Sequence, residues 1–202
     1  MIQSIDNKVY SRIVGHGRGW VFTPSHFKDV GSRTAVASAL KRYKQNGTIR
    51  QIARGFYDYP SKDPLLGVLA PSIDKIMSAI EERDSVRLQP SGAYAANLLG
   101  LSDQVPMRVV FLTDGPTRKL QIGNLSIVLK RTTPRNMATT GRISGTVIQA
   151  LRWLGNGNVD RRIVALLKNK MDDKNIAVLM KDIRHAPTWI AEVFRDLAGS
   201  EE

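Results

Sequence analysis

Between Thr23 and Tyr59 the sequence carries two helix starts, a glycine break between them and a β-rich stretch directly afterwards. That order narrows the folds open to the chain more than any other feature. Thr23-Pro24 reads as the first start, with Thr at the N-cap and Pro at the first helical position, where its missing N–H costs nothing. This helix is short and stops at Gly31. Ser32 caps the second, which runs to about Gln45 and is closed by Asn46-Gly47. Thr48 to Ala53 and Phe56 to Tyr59 are rich in β-formers and meet through Arg54-Gly55, which predicts a hairpin.

Upstream, Ile5, Val9 and Ile13 recur at helical spacing and predict a helix over 4–14. Gly15-His16-Gly17-Arg18-Gly19 ends it, and Trp20-Val21-Phe22 reads as a short strand. Helix, strand, short helix, helix and hairpin in that order predict a winged helix-turn-helix over residues 1–62. The Pro60-Ser61-Lys62-Asp63-Pro64 stretch closes it.

Residues 63–202 are mixed. Helices are expected over 71–84, 93–99 and 143–154, and strands over 86–88, 108–113, 120–122 and 125–130. Gly123-Asn124 makes the last two a hairpin. Three further helices, over 159–168, 174–183 and 187–198, carry the stripes Val159/Ile163/Leu166, Ile176/Leu179/Ile183 and Trp189/Val193/Leu197, which read as core. The expected fold class is thus α+β: a winged helix-turn-helix, then a mixed α/β domain over 63–202 ending in helices.

Charge says what the first region is for. The 202 residues hold 30 Lys+Arg against 18 Asp+Glu, a formal net charge of +12. Residues 1–60 carry ten of the bases and only Asp6, Asp29 and Asp58 as acids. No block of five like charges occurs, so this is a charged folded surface, and nucleic acid is the expected partner. In the 32–45 helix, Ala35, Val36, Ala39, Leu40 and Tyr43 form the apolar face. Ser32, Arg33, Thr34, Ala37, Ser38, Lys41, Arg42 and Lys44 lie on or beside the opposite face. Small residues let a helix axis approach base edges, and Arg33 can pair bidentately with guanine. Lys41, Arg42 and Lys44 suit phosphates. Arg50 and Arg54 extend the set onto the hairpin, where an Arg at the tip can enter a narrow minor groove. Tyr57 and Tyr59 read as packing residues.

Chemistry-bearing patterns are sparse. Cysteine is absent, which removes disulfides, thiolate nucleophiles and Cys-ligated zinc. His16, His26 and His185 show no metal-ligand spacing. Ser144 in Gly141-Arg-Ile-Ser-Gly145 stands one position too late for a nucleophile elbow. Asp172-Asp173-Lys174 reads as a helix start, and Asp114-Gly115 as a turn. No catalytic residue, metal or cofactor is expected. No apolar run reaches the ~18 residues of a membrane span, and the first six residues lack a signal-peptide pattern, so a cytoplasmic protein is expected. A second basic cluster, Arg118, Lys119, Lys130, Arg131 and Arg135, flanks the 120–130 hairpin and is a candidate contact for DNA or an acidic protein.

Two stretches carry a resemblance. Arg54-Gly55-Phe56-Tyr57 at the end of the N-terminal region, and PSGAYAANLLGLSDQVPMRVVFLTDGPTRKLQIGNLSIVLKRTTPRNM over Pro90–Met137, resemble abortive-infection antitoxins of the AbiEi type. The resemblance spans roughly residues 5–150 and is strongest to the compact branch of about 200 residues. It implies a winged domain that binds inverted repeats in its own promoter and represses it. It further implies a C-terminal domain that counteracts a cognate nucleotidyltransferase-like toxin. Carried onto this chain, the DNA-reading positions are Ser32, Arg33, Thr34, Ser38, Lys41 and Arg42, with Arg54 on the wing. The alternative is a single-function DNA-binding regulator whose C-terminal domain senses a ligand or a protein.

Overall fold

The computed structural model describes residues 4–104 and 106–199. Residues 1–3, on which the reading of the N-terminus partly rests, and residue 105 of the Pro90–Met137 stretch lie outside them. The fold is mixed α+β. The chain divides into two compact units, Met1–Ser85 and Val86–Glu202. The first of these units takes in residues 63–85.

The N-terminal unit begins with α1 (Ile5–His16), whose N-cap Ser4 accepts the Asn7 N–H. Strand β1 (Val21–Phe22) and a 3-10 turn (Pro24–Phe27) follow, and then α2 (Arg33–Gln45), capped by Ser32 through the Ala35 N–H. The predicted hairpin forms from β2 (Arg50–Ala53) and β3 (Phe56–Asp58), joined by Arg54-Gly55 with Gly55 at φ 77°. Only glycine holds that left-handed backbone without a steric cost. β1 pairs antiparallel with β3, Val21 opposite Asp58, so the sheet has three strands in the order β1-β3-β2.

At the expected boundary the chain makes a second, small hairpin of β4 (Lys62–Asp63) and β5 (Gly67–Val68). The Asp63 carboxylate accepts the N–H groups of Leu65 (2.8 Å) and Leu66 (2.9 Å) and so fixes the turn. These bonds hold the Asp63 carboxyl below its ordinary range. The two leucines at the tip point to solvent, 94% and 78% exposed.

Helix α3 (Ile73–Asp84), capped by Ser72, buries Ile76, Met77 and Ile80 and packs against β1. This is why it belongs to the first unit. The core of that unit gathers Val9 and Ile13 from α1, Val36 and Leu40 from α2, and Phe22, Phe27 and Ile49 from the segments between and after. The i, i+4 stripes of α1 and α2 thus close on each other, as amphipathic helices must to bury apolar surface.

The C-terminal unit holds β6 (Leu88–Ser91), α4 (Gly92–Leu98), β7 (Arg108–Thr113), β8 (Arg118–Ile122) and β9 (Leu125–Arg131). The β8–β9 hairpin turns at Gly123-Asn124, Ile122 opposite Leu125. The sheet order is β6-β7-β9-β8, and β7 pairs parallel with β9. β6 starts later than the expected 86–88 and takes in Pro90, which an edge strand tolerates. Then come α5 (Pro134–Met137), α6 (Ile143–Leu154), α7 (Arg161–Lys170), α8 (Asp173–Asp182) and α9 (Thr188–Leu197). Val147 and Leu151 of α6 meet Leu179, Ile190 and Phe194 in one apolar cluster. On α7, which Asp160 caps, the buried residue is Leu167, not Leu166, because the stripe continues from Val159 and Ile163 at steps of four and Ile163 packs against the same cluster as Leu167. Among the described residues, no helix is long and apolar enough to cross a membrane.

Candidate nucleic-acid interface

The outward face of α2 is built as its periodicity dictates. Val36, Ala39 and Leu40 are buried, while Arg33, Thr34, Ala37, Ser38, Lys41, Arg42 and Lys44 are exposed. Ala37 and Ser38 leave the middle of this face low, so the helix axis can lie close to a flat or grooved partner.

Its cations are not equivalent. Arg42 is held bidentately by Asp6 of α1, through a 3.1 Å Nε bond and a second from Nη2. Tyr43 donates to the Asp6 carbonyl beside it (3.1 Å). Lys44 donates to Gln51 on β2 (3.0 Å). Arg50 is half-buried. It grips Asp58, 1% exposed, with two nitrogens and also donates to the Leu69 carbonyl (2.7 Å). Its partner and backbone acceptor make it a structural cation. Ser32 spends its oxygen on the helix cap (3.3 Å) and contacts the Thr34 hydroxyl (3.1 Å). By contrast, Arg33, Lys41 and Arg54 make no ion pair among the described residues, and all three are exposed.

The first turn of α2 and the β2–β3 turn border a common cleft of about 520 Å³. Pro24 gives it an apolar wall backed by the buried Phe27 and Val36, Ser25 contributes a hydroxyl, and Lys28, Arg33 and Arg83 its charges. None of the residues lining it is acidic. Sequence reasoning missed Lys28 and Arg83 as members of this surface. Lys28 closes the 3-10 turn and belongs to the ten-base excess of residues 1–60, a signal that was available. Arg83 sits on α3 and reaches the cleft only through tertiary packing. Its guanidinium lies 4.1 Å over the Phe56 ring, Asp84 accepts from two of its nitrogens, and burial lowers its pKa.

The aromatics pack inward. Tyr57 stacks on Phe22 at 5.9 Å, and Tyr59 lies under Arg18 at 4.9 Å. His16 ends α1, rather than sitting in the glycine loop, and stacks on Trp20 at 3.9 Å. His26 meets the same indole edge-on, contacts the Thr23 N–H through Nδ1 (3.0 Å) and pairs with Glu82 through Nε2 (2.6 Å). Among the described residues, no three His, Asp or Glu side chains group as a metal site. Ser144 is fully buried and donates to Asp182. Asp172 caps α8 through the Asn175 N–H (2.8 Å), and Asp114 accepts from Arg87.

The second basic cluster divides. Strand register puts Lys119 and Lys130 on one sheet face, and Arg118 and Arg131 on the other. Arg135 follows on α5, close enough to Arg152 that its charge, after burial, lowers the Arg152 pKa. The five are therefore not one continuous patch.

Residues 8–176 match a family described as "Family of unknown function (DUF6088)". No curated protein matches the sequence. Among solved structures, the chain is similar to the RV2827C protein from Mycobacterium tuberculosis, at 16% identity and a TM-score of 0.49. That similarity covers 99% of this chain and 78% of the other.

Proposed function

The chain belongs to DUF6088, a family of unknown function, and we propose that its N-terminal unit is a winged helix that reads duplex DNA. In this reading α2 is the recognition helix and the β2–β3 hairpin is the wing. One observation carries it: Arg33 on α2 and Gly55 of the β2–β3 turn, the neighbour of the exposed Arg54, border the same cleft, and the charged residues lining it are all cations. Arg33 pairs with a guanine edge, Lys41 with phosphate, and Arg54 enters the minor groove. Thr34 and Ser38 lie on the same face to contact the groove. Lys44 shares its charge between Gln51 and the duplex. Arg42 and Arg50 serve the fold first. Two copies on an inverted repeat give a two-fold site.

The physiological role we attach to this is that of an autoregulatory repressor and antitoxin. Similarity of Pro90–Met137 to AbiEi-type antitoxins supports it, with the C-terminal unit counteracting a nucleotidyltransferase-like toxin. Titration onto the chain's own upstream DNA and onto scrambled DNA, across a salt series from ~0.15 M upward, tests the DNA half. Arg33→Ala should weaken native-site binding by about 1–3 kcal/mol and scrambled binding less. Equal, steeply salt-dependent binding to both sequences overturns it. Co-expression with the adjacent gene's product tests the antitoxin half. Loss of rescue in Arg131→Glu/Arg135→Glu at equal protein level supports it, and full rescue removes those residues from the contact.

A further inference from the structure

We infer that the cleft between the 3-10 turn, α2 and the β2–β3 turn is a binding site for one nucleotide unit, its phosphate among Lys28, Arg33 and Arg83 and its sugar and base against the wall that Pro24 exposes. The site does not depend on the winged-helix reading of the same unit.

Three observations lead there. The volume, about 520 Å³, falls within the range of small-molecule sites. The walls are mostly apolar, which suits a flat organic body. The charges are three cations with no acid among the lining residues. That combination disfavours a metal ion or a neutral peptide and favours an anion with an apolar body. The Ser25 hydroxyl, held 2.6 Å from that of the buried Thr23, adds a polar contact for a sugar or phosphate oxygen. The Arg83 cation is partly buried over Phe56 and shares its charge with Asp84, so it adds to the positive field of the cleft without being its main anchor.

Nucleotide chemistry can reach the cleft from two sources, a free nucleoside monophosphate or a nucleotide turned out of a bound DNA strand. Both arms use the full chain. In the first, dAMP, dGMP, dCMP and dTMP are titrated separately by calorimetry. In the second, a duplex carries 2-aminopurine at successive positions, and its emission rises when the base leaves the stack. Two variants accompany each arm: Lys28→Glu in the cleft, and Lys8→Glu on α1 as a charge-matched control outside it. Both side chains are exposed, so each variant should keep its melting temperature.

Saturable mononucleotide binding, weakened about tenfold or more by Lys28→Glu and within about twofold of wild type in Lys8→Glu, supports the site with a free ligand. An emission rise with the same variant pattern, without mononucleotide binding, supports it with the strand as source. No signal in either arm, or equal loss in both variants, overturns it. Duplex binding that stays sequence-specific while both arms are silent removes the nucleotide site and leaves the proposed function standing. Mononucleotide binding without any duplex affinity does the reverse.

Discussion

Arg50 closes on Asp58 directly across the β2–β3 pair, where the two residues are register partners, and passes a further N–H to the Leu69 carbonyl. Arg54, four residues on, carries the same guanidinium to the hairpin turn and makes no ion pair among the described residues.

These two arginines should respond oppositely to truncation. Arg50→Ala leaves the Asp58 carboxylate, 1% exposed, without its partner, and such a loss costs about 3–5 kcal/mol. Arg54→Ala removes an exposed charge and should change stability by no more than about 0.5 kcal/mol while weakening duplex binding. Urea unfolding and DNA titration of both variants separate the roles. A stable Arg50→Ala protein would show that Asp58 finds another partner.

Acid should weaken the clasp between α1 and the chain after the 3-10 turn. Arg12 donates to Asp29 with two nitrogens at 2.6 Å, and to the His26 carbonyl. That pairing, chiefly the side-chain bonds, lowers the Asp29 pKa to about 2. A depressed folded pKa gives stability that is present above the unfolded value of about 4 and lost as pH falls through the folded one. The melting-temperature gap between wild type and Asp29→Asn should be full at pH 6 and shrink toward zero near pH 2. A gap that does not vary with pH would sink this account.

Gly145 in the first turn of α6 tolerates no side chain. A Cβ there would stand 2.5 Å from the Thr139 carbonyl oxygen and 2.4 Å from Gln89 Oε1. Gln89 is itself buried in the edge strand β6. Despite the better helix propensity of alanine, Gly145→Ala should cost about 1–3 kcal/mol through overpacking. A chemical melt with an unchanged midpoint would show that Gln89 and the Thr139 backbone yield.

The Leu65-Leu66 tip should be dispensable to the fold. With both side chains largely in solvent, Leu65→Ser/Leu66→Ser removes almost no buried apolar area, so stability should stay within about 0.5 kcal/mol. Asp63→Ala, which deletes the acceptor for both turn N–H groups, should loosen the turn. Faster amide exchange at residues 65 and 66 would report it, and unchanged exchange would refute it.

Much of this was legible in the sequence, for a local reason. Ser32 caps α2 by bonding three residues ahead, and Asp172 does the same for α8. The outward set from Arg33 to Lys44 follows from a 3.6-residue period, and the Arg54-Gly55 and Gly123-Asn124 turns from two-residue chemistry. Caps, periods and tight turns are written within about four residues, so one sequence determines them. The tertiary structure alone decided which charges are spent and which are free. Arg42 meets Asp6 from 36 positions away, and Arg83 reaches the Phe56 ring and the Arg33 cleft from α3. It also placed β9 between β7 and β8, a parallel pairing that no turn signal marks. Contacts of this kind depend on where distant segments pack, and one-dimensional spacing does not encode that.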